Sequence, residues 1–409
     1  MKTRILFVDD EPYVLQGLCR MLRGLRDEWK MVFAGSGQEA LDQMAEKPFD
    51  VLVTDVRMPG MDGMALLNRV RRQYPKTVRI ALSGQSDQET LIKAVGPTHQ
   101  FLSKPCDAET VQSTIRRACA LREHLADENL QKTISGLTSL PSPSAFCSKM
   151  LSELQDPDTS VSRLGELISR DVAMTTKVLQ VVNSSYFGLR QRVSTPAAAA
   201  VLLGVDTMRS LVLSVGVFSQ KPRTGTSRPL VERLANHSYR VSALARRIAE
   251  AERADKQLKE QIFVAALVHD VGKLVLLDSF PDESAVLWEW ADRQEKPLWM
   301  LEKEAFGAAH ADVGAYLLGL WGFTDIIVEA VAFHHCPSQC PGQAFDPLSV
   351  VHAADALEAE QSSPDAGSAD LDVEYLTGIG LADRIDTWRE LIPDSLSEEQ
   401  PNVCENPVR

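Results

Sequence analysis

Six of the eight histidines fall between residues 237 and 352, and several stand beside carboxylates. His237, the pair His269-Asp270, His310, the pair His334-His335 and Asp355 form a set of imidazole and carboxylate donors. Such donors suit a borderline metal such as Fe, Mn or Zn. Together they could hold two ions bridged by Asp270, an arrangement that activates a water and clamps a phosphoester, with Lys273 available for the phosphate. Plainer readings stand beside this one. A single buried histidine in a helical core is usually a packed side chain; His99 and His124 carry no motif, and His352 reads the same way. The His334-His335 pair could also simply close a helix, where positive charge is favoured. Cys336 and Cys340 have no second cysteine pair to complete a thiolate site and read as plain thiols.

A second set gathers near the N-terminus. Adjacent Asp9 and Asp10 follow the apolar run Ile5-Leu6-Phe7-Val8, and Asp55 follows Val51-Leu52-Val53-Thr54. Ser83 follows the run from Val78 to Leu82, and Lys104, then Pro105, follows Gln100-Phe101-Leu102-Ser103. With Met31-Val32-Phe33-Ala34 these runs read as five strands, and the stretches between them carry helical spacing, as in Val14, Leu15, Leu18, Met21 and Leu22. Alternating strands and helices imply a parallel, doubly wound sheet covered on both faces, whose strand carboxyl ends lie side by side. Three carboxylates, a hydroxyl and an ammonium therefore converge on one crevice. The carboxylates are costly together unless a hard cation such as Mg²⁺ neutralises them, and that cation can also hold the oxygens of an incoming phosphoryl group. Singly, Asp10 could cap a helix, Ser83 could sit in a turn and Lys104 could be a surface lysine. Their recurrence at successive strand ends argues for one site.

The elements that must position these residues can be read more coarsely. The chain has 409 residues, 44% hydrophobic and 24% charged, which suffices for several domains with sizeable cores and excludes wholesale disorder. No run approaches the roughly 18 apolar residues of a membrane span, so a cytoplasmic protein with neither signal peptide nor membrane association is expected. Seven cysteines without framework spacing read as reduced thiols. The net charge of −13 is concentrated towards the C-terminus, and no basic stripe or zinc finger stands out, so direct DNA binding is not expected. From about Pro143 to Asp355 only helical periodicity is found, as in Val241, Ala245 and Ile248. The helix after Asp107 is expected to run towards Leu130 and to break in Ser139-Leu140-Pro141-Ser142-Pro143. Residues 361–370 read as a loop, residues 374–391 as one further helix, and those from Pro393 onward as a frayed tail.

Val8-Asp9-Asp10, Asp55 followed by Met58-Pro59-Gly60-Met61-Asp62-Gly63, Leu82-Ser83-Gly84 and Ser103-Lys104-Pro105 resemble the receiver domain of two-component response regulators. The resemblance implies that Asp55 accepts a phosphoryl group from a sensor histidine kinase. It also implies that Asp9, Asp10, Asp55 and the Arg57 backbone carbonyl bind Mg²⁺, that Ser83 and Lys104 contact the phosphoryl oxygens, and that the Lys104-Pro105 peptide is cis. Phe101 corresponds to the switch aromatic of that family. Phosphorylation adds about −1.5 to −2 charges and three acceptor oxygens, enough to draw Ser83 inward and re-pack the loop that follows.

Further along, Leu137-Thr138-Ser139-Leu140-Pro141, the run from Ile168 to Leu179, Val182-Asn183-Ser184-Ser185-Tyr186-Phe187-Gly188 and Ala200-Val201-Leu202-Leu203-Gly204 resemble the HDOD domain, the HD-related output domain of bacterial signalling proteins. Within this stretch Asn183, Ser184 and Tyr186 read as a structural helix junction, with Gly188 and Gly204 as helix terminators. Much of that family lacks metal ligands and acts through protein contacts. This chain keeps His237, His269, Asp270, His310, His334, His335 and Asp355, and in its ligands it also resembles the HD-GYP cyclic di-GMP phosphodiesterases. It departs from those because Cys336-Pro337-Ser338 follows His334-His335, with no Gly-Tyr-Pro.

The expected organisation is an α/β receiver over residues 1–122, a helical linker over 123–142, an all-α HD-like domain over 143–358, and an acidic helix and tail over 359–409. Two outputs follow. One is a relay through contacts with a downstream protein or a second copy of the chain. The other is a receiver-gated, metal-dependent phosphohydrolase of a nucleotide or cyclic dinucleotide.

Overall fold

The computed structural model describes residues 2–83, 98–124, 130, 133–135, 137, 140, 150, 153, 159–183, 193–214, 227–293, 296–340, 344–362 and 371–392. Five strands form one parallel sheet: β1 (Thr3–Val8), β2 (Trp29–Ala34), β3 (Val51–Asp55), β4 (Val78–Ser83) and β5 (Gln100–Ser103), in the order β2-β1-β3-β4-β5. Ile5 to Val8 and Val51 to Val53 are wholly buried, as uninterrupted apolar runs should be when helices cover both faces of a sheet. Between the strands run α1 (Pro12–Met21), α2 (Gly37–Glu46) and α3 (Gly63–Gln73), and α4 (Ala108–His124) follows β5. The register pairs Val8 with Thr54, Asp55 with Leu82, and Ser83 with Ser103. All the carboxyl ends are thereby brought level, with Asp9, Asp55 and Lys104 along one rim.

Local signals fix how α3 meets that rim. The Asp62 carboxylate accepts the Ala65 amide at 2.7 Å and caps the helix. Gly63 follows at once, and a Cβ there would stand 1.9 Å from the Asp55 carbonyl oxygen. Only glycine lets α3 start this close to the site strand.

Beyond α4 the described residues contain helices and no strand: α5 (Val161–Ile168), α6 (Val172–Val182), α7 (Pro196–Ser214), α8 (Ser227–Ala251), α9 (Lys256–Val268), α10 (Val271–Ser279), α11 (Pro281–Asp292), α12 (Leu298–Phe306), α13 (His310–Leu320), α14 (Asp325–Phe333) and α15 (Pro347–Ser362). α7 is kinked at Gly204, whose φ of 74° is left-handed. On α8 the buried stripe Leu234, Val241, Ala245 and Ile248 has the three-to-four spacing of a core face, and His237 falls on that face. The Asn183 side chain bonds both the amide and the carbonyl of Val193, at 2.6 and 2.7 Å. It thus pins the two ends of the connection between α6 and α7; Ser184, Tyr186 and Gly188 lie outside the described residues.

One expectation is corrected. Residues 374–391 do not form a single helix but two short ones, α16 (Val373–Gly378) and α17 (Ile385–Arg389). Gly380 adopts φ 75°, and the Leu381 amide reaches back to the Leu376 carbonyl at 2.8 Å. This is the closing pattern of a helix that ends on a left-handed glycine. The expected run of the α4 helix to Leu130 and most of the Ser139–Pro143 break fall outside the described residues. No helix among the described residues is long and apolar enough to cross a membrane.

Candidate metal centre and phosphoacceptor crevice

All seven expected donors of the helical domain come together, and most of them arrive on helix ends. His269 closes α9 and Asp270 opens α10, His310 is the first residue of α13, and His334 and His335 close α14. His237 and Asp355 enter from the buried faces of α8 and α15. The Asp270 carboxylate lies in the middle. Its Oδ2 is 3.5 Å from His237 Nε2 and 3.4 Å from His269 Nε2, while Asp355 Oδ1 lies 3.1 and 3.6 Å from the same two nitrogens. Its Oδ1 is 3.2 Å from His310 Nε2 and 3.8 Å from His334 Nε2, and His335 Nε2 lies 2.9 Å from His310 Nε2. One carboxylate thus faces two donor clusters, His237/His269/Asp355 and His310/His334/His335.

The outer nitrogens dictate the tautomers. His269 Nδ1 donates to the Ala266 carbonyl and His334 Nδ1 to the Val331 carbonyl, which turns each Nε2 inward, where it would ligate once unprotonated. His237 and His310 are backed by carboxylates instead, Glu358 at 2.7 Å and Glu302 at 2.5 Å. Glu302 also accepts the His310 amide and is only 2% exposed. Each cluster therefore holds one histidine oriented by a backbone carbonyl and one oriented by a glutamate, the outer layer that metal-binding histidines characteristically carry.

Three buried atoms at this centre, His269 Nε2, Asp270 Oδ1 and His334 Nε2, make no hydrogen bond. Leaving such atoms unsatisfied is costly, and a pair of divalent cations, one facing each cluster, would satisfy all three, so the residues present fit metal. The surrounding carboxylates hold a proton that a cation would have to displace. Burial opposes charge on His269, yet Asp270 and Asp355 outweigh it and raise the imidazole to about 10, so a metal at Nε2 would release that proton. Burial together with neighbouring His269 and His310 pushes His334 down to about 3. Burial opposes ionisation of Asp270 as well, but the positive charges of His269 and Lys273 hold it well below the usual carboxylate range. Lys273 Nζ bonds Asp270 Oδ2 at 2.6 Å. The Trp299 ring stacks on His335 with centroids 6.0 Å apart, at the half-buried side of the cluster.

His352 stands apart, as the packing reading expects. Its Nδ1 donates to the His334 carbonyl at 2.7 Å and its Nε2 accepts the Asp372 amide at 2.8 Å, so both nitrogens are used in holding the backbone. Cys336 and Cys340 belong to no disulfide and to no metal-ligating group among the described residues.

In the sheet domain Asp9, Asp10 and Asp55 present oxygens within 4.8 Å of one another. Lys104 Nζ lies 2.6 Å from Asp9 and 2.9 Å from Asp55, so one ammonium serves two buried carboxylates while Asp10 is exposed. Burial pushes Asp55 up, against the pull of Lys104. Burial opposes the Lys104 charge in turn, but Asp9 and Asp55 raise it. Three carboxylates against one ammonium leave room for a hard cation, and the donor set suits Mg²⁺. The Lys104-Pro105 peptide is cis, and Phe101 is 3% exposed. The Ser83 side chain lies outside the described part of the structure.

Sequence reasoning missed Glu302, Glu358 and the close approaches at Gly63 and Gly272. A Cβ on Gly272 would stand 1.9 Å from the His310 carbonyl oxygen, so α10 and α13 touch at the metal centre through a glycine. Both glycines lie inside the motifs already singled out, but their role depends on a partner distant in the chain.

Comparison with known proteins agrees with this anatomy. Residues 5–116 match the model of the response regulator receiver domain and residues 140–337 that of the HDOD domain. The chain is similar to an uncharacterized protein of Treponema pallidum (28% identity over 195 residues, 48% of this chain and 37% of that protein). It is also similar to the transcriptional regulatory protein ZraR of Escherichia coli O157:H7 (30% over 153 residues, 37% of this chain and 34% of that protein). The chain thus spans little more than a third of the length of these relatives. Among solved structures, the MmoQ response regulator of Methylococcus capsulatus str. Bath aligns over 63% of this chain and 98% of its own, at 22% identity and a TM-score of 0.49. The signal receiver domain of an HD domain-containing protein from Pseudomonas fluorescens Pf-5 aligns over 30% of this chain and 98% of its own, at 33% identity and a TM-score of 0.29. This chain carries a response regulator receiver domain over residues 5–116 followed by an HDOD domain over residues 140–337.

Proposed function

We propose that Asp55 accepts a phosphoryl group from a sensor histidine kinase and that the HDOD domain, holding metal, carries the resulting signal to a downstream protein. The chain's own residues divide the work at the receiver. Asp55 Oδ attacks phosphorus while the kinase histidine nitrogen leaves, Lys104 neutralises the oxygens of the transferred group, and Asp9 and Asp10 together with Asp55 would hold Mg²⁺. The Arg57 carbonyl completes that ligand set in this reading, and Ser83 follows the new charge inward. Mg²⁺ would supply charge neutralisation between the carboxylates and the phosphoryl oxygens.

The observation that carries the output side is the Asp270 carboxylate, whose two oxygens face two separate donor clusters across unsatisfied buried nitrogens. His237, His269 and Asp355 would hold one ion and His310, His334 and His335 a second, shared through Asp270. The same observation favours a second reading, hydrolysis of a phosphoester such as a nucleotide or cyclic dinucleotide. A metal pair supplies Lewis acidity and a water ionised near neutral pH. Lys273 would orient a phosphate from its place beside Asp270. Receiver and kinase recognise each other as proteins; a second copy of the chain is a candidate partner for the HDOD domain.

Incubation with a radiolabelled phosphodonor and Mg²⁺ tests the first reading. Acid-stable, base-labile label should appear on the wild type and be absent from Asp55→Asn; equal labelling of both would refute it. For the second reading, the metal-loaded protein should hydrolyse a phosphodiester and lose that activity in both His269→Ala and Asp270→Ala. No turnover by the Fe- or Mn-loaded wild type leaves the relay as the output.

A further inference from the structure

The seam between the two domains contains a chain of specific contacts that ends at the metal centre. It starts on the receiver's edge strand. Gln100, the first residue of β5 and the neighbour of Phe101, extends its amide to the Gly319 carbonyl at 3.2 Å. Gly319 belongs to the last turn of α13, where helix carbonyls have no partner within the helix; its carbonyl accepts the Gly322 amide at 3.0 Å, and the receiver side chain adds a second donor to that cap. The helix so capped begins with His310. Eleven residues at about 1.5 Å each make a rod of about 16 Å, buried along nearly its whole length, with the receiver at one end and a metal-facing imidazole at the other.

The rod is braced on both sides. Near the receiver end, Lys177 of α6 places its Nζ 4.2 Å from the centre of the Trp321 ring, just past the end of α13. Gln180, one turn further along α6, donates to the His99 carbonyl at 3.0 Å. His99 in turn accepts the Arg79 amide on Nδ1, and its Nε2 lies 2.9 Å from the Ser135 carbonyl and 2.8 Å from the Arg79 guanidinium, which donates to that carbonyl as well. Ser135 Oγ lies 3.4 Å from the Tyr316 hydroxyl, back on α13. Near the metal end the rod has no slack, because Gly272 of α10 lies against the His310 carbonyl with no room for a Cβ. Packed interiors transmit displacement rather than absorb it.

We propose that α13 is the element through which the receiver controls the metal centre: the state of Asp55 alters the hold of Gln100 on Gly319, and the resulting displacement of α13 moves His310 and changes the metal affinity of the HDOD domain. The proposal rests on the metal-binding reading above and adds to it the route and the residue that make the site responsive. Linkage makes the effect mutual, so metal in the HDOD domain changes the receiver's affinity for a phosphoryl mimic by the same factor. Phe101 and Gln100 are consecutive on a strand and project to opposite faces, so a change in how Phe101 packs bears directly on Gln100.

The experiment uses the full chain in excess Mg²⁺, with and without beryllofluoride as the phosphoryl mimic. Zn²⁺ affinity is measured by competition with a chromophoric chelator, with Asp270→Ala as the baseline for binding elsewhere. In parallel, hydrogen exchange is followed at the amides of residues 310–320. The wild type should show a change of about five-fold or more in Zn²⁺ affinity and altered exchange along α13. Gln100→Glu, of equal length but without the N–H donor, and Gln100→Ala should take up beryllofluoride as before while both responses disappear. Equal Zn²⁺ affinity in the two wild-type states, unaltered α13 exchange, or a full response in Gln100→Glu overturns the proposal. If the wild type binds no Zn²⁺, the metal reading fails on its own, and the exchange arm still decides whether α13 answers to the receiver.

Discussion

Asp270 stands between two imidazole clusters, and the histidines around it point the right way because their outer nitrogens are already engaged. For His310 and His237 that engagement is ionic, through Glu302 and Glu358. Glu302→Gln keeps size and loses charge; Zn²⁺ affinity in a chelator competition should then fall about 10- to 100-fold with the fold intact by circular dichroism. An unchanged affinity would show that Glu302 does not orient His310. The ligands themselves were legible from sequence because imidazoles paired with carboxylates are rare in a packed helical core. The two glutamates were not, since a glutamate in a helical stretch ordinarily faces water and its partner here lies on another helix. His352 marks the limit of composition as a guide: it is as buried as the ligands, but both its nitrogens are spent on the backbone.

Both sites depend on elements packed to backbone contact. Gly272 places α10 against the first residue of α13, and Gly63 places α3 against the end of β3. A methyl group in either place meets carbonyl oxygen, which cannot rotate away. Gly272→Ala should therefore cost about 3 kcal/mol in denaturant unfolding and weaken metal binding together, whereas Gly378→Ala, where a Cβ meets nothing within 4 Å, should leave both nearly unchanged. A fully stable, metal-competent Gly272→Ala would contradict the close approach. At this scale the strands were readable because each is an unbroken apolar run ending in a polar residue. The C-terminal helix was misread as continuous because Gly380 interrupts an otherwise helical pattern, and one glycine does not announce whether it will turn left-handed.

Over the whole molecule the domain seam is the feature least visible in sequence, because it is built from residues that look ordinary in isolation. Lys177 lies fully buried there, and burial pushes its ammonium down from 10.5 to about 7. It faces the Trp321 ring, with the positive charge of Arg79 and the imidazole of His99 nearby. Between about pH 7 and pH 10.5 the unfolded chain keeps a proton on this lysine that the folded chain releases, so its contribution to stability rises with pH across that window and is flat below it. The difference in unfolding midpoint between wild type and Lys177→Met should accordingly shift in favour of the wild type from pH 7 to pH 10. Parallel profiles would mean that the lysine stays charged in the seam.

That the HDOD domain holds a metal pair bridged by Asp270 is tested most directly by the metal content of the full chain purified without oxygen. The account predicts about two transition-metal ions per chain, with a marked loss in Asp270→Ala, whose carboxylate serves both clusters. A wild type that carries no such metal and takes up none when Fe, Mn or Zn is offered would contradict it.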